Sequence, residues 1–174
     1  MTELHADGVR LVPTTIDLLA HEDVSGAALA TALRVAPPAS WPPPFNGPET
    51  RDWMRRHLLA DTRNASWFGW YIIAEIEGVT TLVGGAGYKG PPDGNGEVEI
   101  GYAVVPQYHR RGLASAAVRL LCRRAFAEGA TAVLAETLPT LAASQGLLRS
   151  TGFTKVAERI DPDEGEVWRY RLER

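Results

Sequence analysis

Apolar and polar residues along the chain follow two periods, one typical of strands and one typical of helices. Alternating or apolar stretches predict strands over residues 9–12, 66–76, 80–88, 97–105, 131–138, 153–160 and 166–172. Apolar positions spaced by three and four predict helices over residues 16–33, 48–62, 114–128 and 141–150. The strands first follow one another and then alternate with helices. This order predicts an α/β (α+β) fold, with a mixed, mostly antiparallel central sheet of about seven strands and helices on both faces.

A proline-rich segment interrupts the helical pattern in the first third of the chain. Residues 36–45 cannot be helical, because proline fixes φ and removes a hydrogen-bond donor. We expect a stiff, extended loop that carries Trp41 and Phe45. It is either a connector or a wall of a substrate cleft. Gly26 weakens the middle of the helix before this loop.

Aromatic residues crowd the strand predicted over residues 66–76. Successive side chains of a strand point to opposite faces, so Trp67 and Tyr71 are predicted to share one face and Phe68 and Trp70 the other. At least one pair is expected in the core, and the other is expected to line the acceptor cleft together with Trp41 and Phe45. The candidate substrate-binding aromatic residues are Trp41, Trp67 and Trp70.

Composition excludes several classes of protein. The length of 174 residues favours one globular domain over residues 1–174. The net charge of −3 gives the protein no overall basic field that would hold nucleic acid. No apolar run reaches the roughly 20 residues of a membrane-spanning helix, and the polar start of the chain is unlike a signal peptide. The lone Cys122 fits a reducing compartment. We therefore expect a cytoplasmic monomer or homodimer with no nucleic-acid or membrane partner. No metal is expected, because the spacing of these histidines is not that of metal ligands: His5, His21 and His57.

One short basic segment points to a ligand class. The strand over residues 97–105 stops at Pro106, and His109, Arg110 and Arg111 then lead into Gly112 at the start of a helix. The free amides of a helix N-terminus attract anions, glycine allows close backbone approach, and arginine adds charge-assisted hydrogen bonds. The segment therefore predicts a phosphate site, or else a solvated basic turn. It lacks the Walker lysine and the three-glycine spacing of a dinucleotide fingerprint.

Two motifs in this region resemble those of the GCN5-related N-acetyltransferases. The run from Glu99 to Pro106, followed by Arg110 to Ala114, looks like motif A of that family. The run from Ala135 to Pro139, followed by Ala143-Ser144 and Gly152-Phe153, looks like its next motif. Together they resemble the branch that acetylates ribosomal-protein N-termini. The resemblance implies a GNAT-like fold and acetyl-CoA as co-substrate.

The resemblance assigns cofactor contacts by position. It implies that backbone amides of the basic turn hold the pyrophosphate, and that backbone groups at the end of the preceding strand grip the pantetheine arm and polarise the acetyl carbonyl. His109 stands where the family usually has Gln or Arg, and Leu141 stands where it often has Asn. The candidate cofactor-binding residues are Val104, Val105, His109, Arg110, Arg111, Gly112, Leu113, Ala114, Ser115 and Leu141.

Catalytic residues are also implied by position. Glu99 matches a glutamate that the family often has, which makes it the candidate general base, and a positioned base contributes about 10²–10⁴-fold. Glu97 lies on the same strand face and is expected to bind the cationic amine. Ser144 matches a serine near the CoA sulfur, where it can donate a hydrogen bond to the departing thiolate. The alternatives are a solvated carboxylate at Glu99 or Glu97 and an ordinary polar residue at Ser144, and the choice of base between the two glutamates stays open. Tyrosine is a frequent acid in relatives; here the remaining candidates are Tyr102, Tyr108 and Tyr170.

The sequence therefore predicts an acetyl-CoA-dependent N-acetyltransferase that acts on a primary amine, either a small molecule or a peptide N-terminus. A non-catalytic acetyl-CoA sensor of the same fold is one alternative. A nucleotide-phosphate binder is another, although the missing Walker lysine disfavours it.

Overall fold

The computed structural model describes residues 2–174, which form one eight-stranded sheet and five α-helices. The strands are β1 (Leu4–Ala6), β2 (Val9–Pro13), β3 (Gly69–Ile76), β4 (Val79–Tyr88), β5 (Glu97–Val104), β6 (Ala132–Thr137), β7 (Thr154–Asp161) and β8 (Gly165–Glu173). The helices are α1 (Ile16–Val24), α2 (Gly26–Leu33), α3 (Pro48–Ala60), α4 (Leu113–Ala127) and α5 (Ala142–Ser150). The strand order is β1-β2-β3-β4-β5-β6-β8-β7.

Every pair of neighbouring strands is antiparallel except β5 and β6, which are parallel. The expected mixed, mostly antiparallel sheet is confirmed. The sheet has one strand more than expected, because the sequence pattern did not predict β1. This hairpin partner of β2 is only three residues long. Such a short segment leaves no periodic signal to read.

Helices cover both faces of the sheet, as predicted. On one face, α4 packs Ala117, Val118 and Leu121 against the largest cluster of buried residues. On the other face, Leu29 and Ala30 of α2 cover the middle strands. Apolar burial at about 25 cal/mol per Å² holds these layers together.

The helix predicted over residues 16–33 is two helices, and that prediction was wrong at Ser25. Ser25 is extended at φ −175° and ψ 163°, which ends α1, and its hydroxyl accepts a hydrogen bond from the Ala28 amide at 3.0 Å to begin α2. Serine is a strong N-cap because its oxygen satisfies a free helix amide. Gly26 serves a packing need, since a Cβ there would lie 2.5 Å from the Trp41 Cβ.

The predicted aromatic pairing was also wrong. A 3₁₀ turn over Ala65–Trp67 precedes β3, so strand alternation begins only at Gly69. As a result Trp67 and Trp70 pack together in the α4-side core, whereas Phe68 and Tyr71 belong to clusters on the opposite side. The 3₁₀ turn shifts the side-chain register that a continuous strand would have given.

No helix among residues 2–174 is long and apolar enough to cross a membrane.

Candidate active site

A split between β5 and β6 forms the centre of the site. The two strands pair from Glu97–Ala132 to Ile100–Ala135 and then separate. Beyond that point β5 remains paired with β4 as far as Val104, and β6 remains paired with β8 as far as Thr137. The strands therefore diverge inside an otherwise continuous sheet, and the backbone along the split has lost its ladder partner.

The direction of the β5 backbone groups follows from two hydrogen bonds. The Glu99 carbonyl accepts from the Lys89 amide at 2.8 Å, and the Val105 amide donates to the Val83 carbonyl at 2.9 Å. The backbone N–H and C=O groups of the odd-numbered β5 residues therefore point toward β4, whereas those of Tyr102 and Val104 point toward the split. Of the two predicted valines, Val104 can offer its amide to a ligand, whereas the Val105 amide is already bonded.

The basic turn continues directly from this strand end. Pro106–Tyr108 form a 3₁₀ turn, and Arg110 and Gly112 both adopt left-handed conformations, at φ 62° and φ 75°. Gly112 is the N-cap of α4 and gives no side-chain cap. Among residues 2–174, no acceptor bonds the backbone amides of residues 110–115. These free amides, at the positive end of a four-turn helix, are suited to bind an anion.

His109 connects the turn to the strand. Its Nε2–H donates to the Val104 carbonyl over 2.6 Å. In this structure the His109 side chain therefore contacts the strand end, and its contact with the cofactor stays a prediction. The side chains of Arg110 and Arg111 remain exposed beside the free amides, with the Arg111 guanidinium 6.0 Å from the centre of the Tyr108 ring.

A tyrosine and a serine meet beside the split, on the face of the sheet that α4 covers. Tyr102 on β5 and Ser144 on α5 share a hydrogen bond of 2.9 Å. Burial raises the pKa of the Tyr102 hydroxyl above its usual range, with a smaller opposing effect from Ser144, so this hydroxyl keeps its proton at neutral pH. The pair can therefore donate a proton to a group in the split. Sequence reasoning ranked Tyr102 below Ser144, because the contact depends on two residues 42 positions apart.

Leu141 is the N-cap residue of α5 and offers no side-chain cap. Gln145 in the next turn binds the segment before the helix, since its buried side-chain amide donates to the carbonyls of Leu138 and Pro139 at 3.2 and 2.8 Å. Sequence reasoning missed Gln145. These two hydrogen bonds fix the segment that leads from β6 to Ser144.

The other face of the split carries the predicted carboxylates. Glu97, Glu99 and Gly101 lie on the same face of β5, opposite to the buried Val98 and Ile100. Glu97 is in ion-pair contact with Arg171. Glu99 lies between two cations, with its Oε1 in contact with the Lys89 ammonium and its Oε2 3.6 Å from Arg169 Nη2.

Glu136 on β6 completes this charged face. It accepts hydrogen bonds from Arg159 at 2.7 and 2.6 Å and from Arg169 at 2.8 Å. The Arg159 hydrogen bonds lower the pKa of the Glu136 carboxyl, partly offset by burial, so the carboxyl stays ionised. Lys89, Arg169 and Glu136 were not among the sequence candidates, since only sheet order brings them to Glu99.

One unsatisfied polar atom lies beside the split. Among residues 2–174, Thr137 Oγ1 and Arg124 Nη1 are buried without a hydrogen-bond partner, whereas the buried Glu99 Oε1 contacts the Lys89 ammonium. Thr137 lies on β6 beyond the last pair with β5. Buried polar atoms are nearly always bonded, so the Thr137 hydroxyl is free to bond a ligand there.

Two of the three candidate tryptophans lie in the core on the α4 side of the sheet. Trp67 and Trp70 are 8% and 2% exposed, and the Arg124 guanidinium of α4 lies 4.4 and 5.6 Å from their ring centres. They form an aromatic cage for that cation, on the α4 face and not on the face of Glu99. Trp41 donates through Nε1 to the buried Glu22 carboxylate at 3.0 Å, which anchors the proline-rich loop to α1.

Two further observations concern the cysteine and metal binding by the described residues. Burial raises the pKa of the Cys122 thiol to about 12, so this residue is not a nucleophile. No group of three or more His, Cys, Asp or Glu side chains within residues 2–174 could hold a metal ion.

A mostly antiparallel sheet that splits between two parallel strands, with an uncapped helix N-terminus beside the split, defines the GNAT class of acetyltransferases. A family model described as the acetyltransferase (GNAT) domain matches residues 14–154, and the chain belongs to this family. The family resemblance seen in the sequence is thereby confirmed.

Solved structures show the same fold. The ribosomal-protein-S5-alanine acetyltransferase from Vibrio fischeri is 15% identical with a TM-score of 0.70, over 99% of this chain and 97% of that one. RimL, a ribosomal L7/L12 alpha-N-protein acetyltransferase in complex with coenzyme A, is 15% identical with a TM-score of 0.68, over 99% and 98%. The microcin C7 self-immunity acetyltransferase MccE, in complex with acetyl-CoA and AMP, is 13% identical with a TM-score of 0.66, over 97% and 93%. No curated protein sequence matches this chain significantly.

Proposed function

We propose that the protein transfers an acetyl group from acetyl-CoA to a primary amine, by direct attack of the amine in a ternary complex. The observation that carries this proposal is the continuity of the β5–β6 split with the free amides of residues 110–115. One end of the site suits a pyrophosphate, and the other offers unpaired backbone groups to an extended arm. Among the solved structures of this fold, RimL contains coenzyme A and MccE contains acetyl-CoA.

The residues present fit acetyl-CoA along its length. The amides of Arg111 to Ser115 would hold the pyrophosphate, with Arg110 and Arg111 adding charge. The backbone of Tyr102 and the Val104 amide would bind the pantetheine arm, as a strand binds its neighbour. Fixed amides of this kind stabilise a developing oxyanion, and each such donor is worth about 10²–10³ in rate.

Acetyl-CoA supplies a thioester carbon that is open to attack. In the transfer, the amine nitrogen forms a bond to that carbon, and the bond from carbon to sulfur breaks. Glu99 is the proposed acceptor of the proton that leaves the amine. Ser144, hydrogen-bonded to Tyr102 at 2.9 Å, is the proposed donor to the sulfur, and the Tyr102 hydroxyl can replace the proton that Ser144 gives up.

The acceptor and the compartment are parts of the same proposal. RimL and the Vibrio fischeri protein are described as acetyltransferases of ribosomal proteins. A protein N-terminus is therefore one proposed acceptor, and a small amine is the other. A single cysteine cannot form a disulfide within the chain, which fits a reducing compartment and supports action in the cytoplasm.

Binding and turnover test the proposal separately. Calorimetry should show binding of CoA and acetyl-CoA but not of ATP, because the turn lacks a Walker lysine. A thiol-release assay with acetyl-CoA and a panel of amines and N-terminal peptides should then show turnover that depends on the amine. Binding of ATP without binding of CoA would overturn the whole assignment. Binding of CoA without thiol release from any amine would identify a sensor of the same fold.

A further inference from the structure

We infer that the amine acceptor carries an anionic group close to its amine, and that Lys89 and Arg169 recognise this group. The inference rests on the proposed acetyl transfer and names the chemical class of its second substrate. The positions of Lys89 and Arg169 beside Glu99 support it.

The open floor beside Glu99 gives an acceptor room to bind. Gly101 follows Glu99 on the same face of β5, is exposed, and would meet nothing within 4 Å of an added Cβ. It also lies just past the last β5–β6 pair, where the split begins. An amine that reaches the split from this face therefore passes directly over Gly101, beside the Glu99 carboxylate.

Glu99 is surrounded by positive charge, but only one of its oxygens is closely bonded. The Lys89 ammonium contacts Oε1, whereas Arg169 Nη2 lies 3.6 Å from Oε2, beyond hydrogen-bond distance. The neighbouring Glu136 shows the contrast, because it accepts three hydrogen bonds at 2.6–2.8 Å from Arg159 and Arg169. The Glu136 arrangement is a completed structural ion pair, whereas Glu99 Oε2 has bonding capacity to spare.

The two cations have donors to spare. The Lys89 side chain is 59% exposed, and Glu99 is its only ion-pair partner among residues 2–174. Arg169 is 33% exposed and bonds Glu136 while one nitrogen faces Glu99. An exposed ammonium and a partly free guanidinium beside an open floor form a site for a carboxylate or phosphate.

Charge decides which amines can enter. At neutral pH an ordinary primary amine arrives as a cation, and it gains little here because Lys89 and Arg169 already neutralise the Glu99 and Glu136 carboxylates. An anionic group on the same molecule adds attraction, since it can pair with Lys89 and Arg169. The Glu99 carboxylate is then left with the amine, whose N–H groups can supply the hydrogen bond that Glu99 Oε2 lacks.

Matched pairs of acceptors test the inference with the full-length protein and acetyl-CoA. Leucine and leucinamide test a small acceptor, while two otherwise identical amidated peptides that begin with Asp or Asn test a peptide N-terminus. We expect kcat/KM to favour the anionic member of at least one pair by about 10-fold or more, the scale of a charged hydrogen bond. Amine ionisation cannot produce this preference in the leucine pair, because amidation lowers the amine pKa and so increases the reactive neutral fraction.

Variants assign the preference to the two cations. Arg169→Gln and Lys89→Met should each reduce the ratio of kcat/KM between the two members to below about 3-fold, whereas Arg63→Gln, which removes an exposed cation in the loop after α3, should leave the ratio unchanged. The ratio is independent of the fraction of folded enzyme, so partial instability of a variant does not affect it.

Three outcomes would overturn the inference. Turnover of both members at equal rates in the unmodified protein would overturn it while leaving acetyl transfer intact. A preference that survives in both Arg169→Gln and Lys89→Met would also overturn it, since other groups would then recognise the anion. Failure to release thiol with every amine would overturn the proposed function, and the inference with it.

Discussion

Glu99 owes its chemical character to residues that the local sequence does not contain. Lys89 follows β4, Arg169 belongs to β8, and the parallel partner β6 brings Glu136 alongside. A glutamate in an alternating strand is ordinarily a solvated surface residue, but here its Oε1 is buried against Lys89 and its Oε2 has no donor closer than Arg169 Nη2 at 3.6 Å. This combination supports Glu99 as the proton acceptor in the proposed transfer.

Replacement of that carboxylate should affect the pH dependence of turnover. In Glu99→Gln, only amine that has already lost its proton in solution can react. We therefore expect kcat/KM to fall by about 10²-fold at pH values below the pKa of the acceptor amine, and the deficit to shrink above that pKa. The measurement is a pH–rate profile with one acceptor for both proteins.

Glu75→Gln provides the matched control, because Glu75 is an exposed strand glutamate on β3. Its profile should coincide with that of the unmodified protein. A Glu99→Gln profile with the same shape and height as the original would remove Glu99 from the role of base.

Among elements, the N-terminus of α4 carries the proposed anion site. Its free amides depend on the left-handed conformation of Gly112, which turns the chain from the 3₁₀ segment into the helix. Any other residue at φ 75° carries a conformational cost of roughly 1–2 kcal/mol, and a β-branched residue carries more. A side chain there would also occupy the space in which a pyrophosphate approaches the backbone.

Gly112→Val should therefore weaken CoA binding by 10-fold or more, as measured by calorimetry. Gly129 is a matched control, since it follows the other end of α4, has φ 95°, and would also meet nothing within 4 Å of a new Cβ. Gly129→Val imposes the same kind of backbone strain without touching the anion site. It should lower the melting temperature while CoA affinity stays near its original value. Equal losses of affinity in both variants would show that strain alone, and not the anion site, is responsible.

In the whole molecule, an ionic network connects the C-terminal half of the sheet. Arg159 of β7 and Arg169 of β8 both bond Glu136 of β6, so three strands are cross-linked on the face of the sheet that carries Glu99. Because the folded-state pKa of Glu136 lies below its ordinary value, its contribution to stability is fully present above the ordinary carboxyl pKa. That contribution disappears as the pH falls through the lowered value.

Glu136→Gln should lower the free energy of unfolding at pH 7 by about 1 kcal/mol, which corresponds to a melting temperature lower by about 2–4 °C. The difference from the unmodified protein should vanish in strong acid, where both side chains are neutral. Thermal melts at pH 7 and at acid pH give this comparison. Glu164→Gln, in the exposed β7–β8 turn, should change neither melt. A Glu136→Gln deficit that persists unchanged into strong acid would show that packing, and not charge, is the cause.

Sequence reasoning succeeded where the signal is local. The strand ending at Pro106, the basic turn and the helix after Gly112 depend on neighbouring residues, and the structure contains all three as predicted. It failed at Ser25 and at residues 65–67, where a cap and a 3₁₀ turn replace a continuous element. In both places apolar periodicity continues through a break in backbone conformation, so the pattern alone cannot locate the break.

The sequence by itself determined the order of the elements, the position of the anion turn and the family, since each depends on residues within one short stretch. Only the tertiary structure decided where β5 leaves β6, which backbone groups face the split, and which cations surround Glu99. The same holds for Trp67 and Trp70, which became a cage for Arg124 and not a substrate wall. These features depend on strand register and on contacts between residues far apart in the chain, and local periodicity carries no information about either.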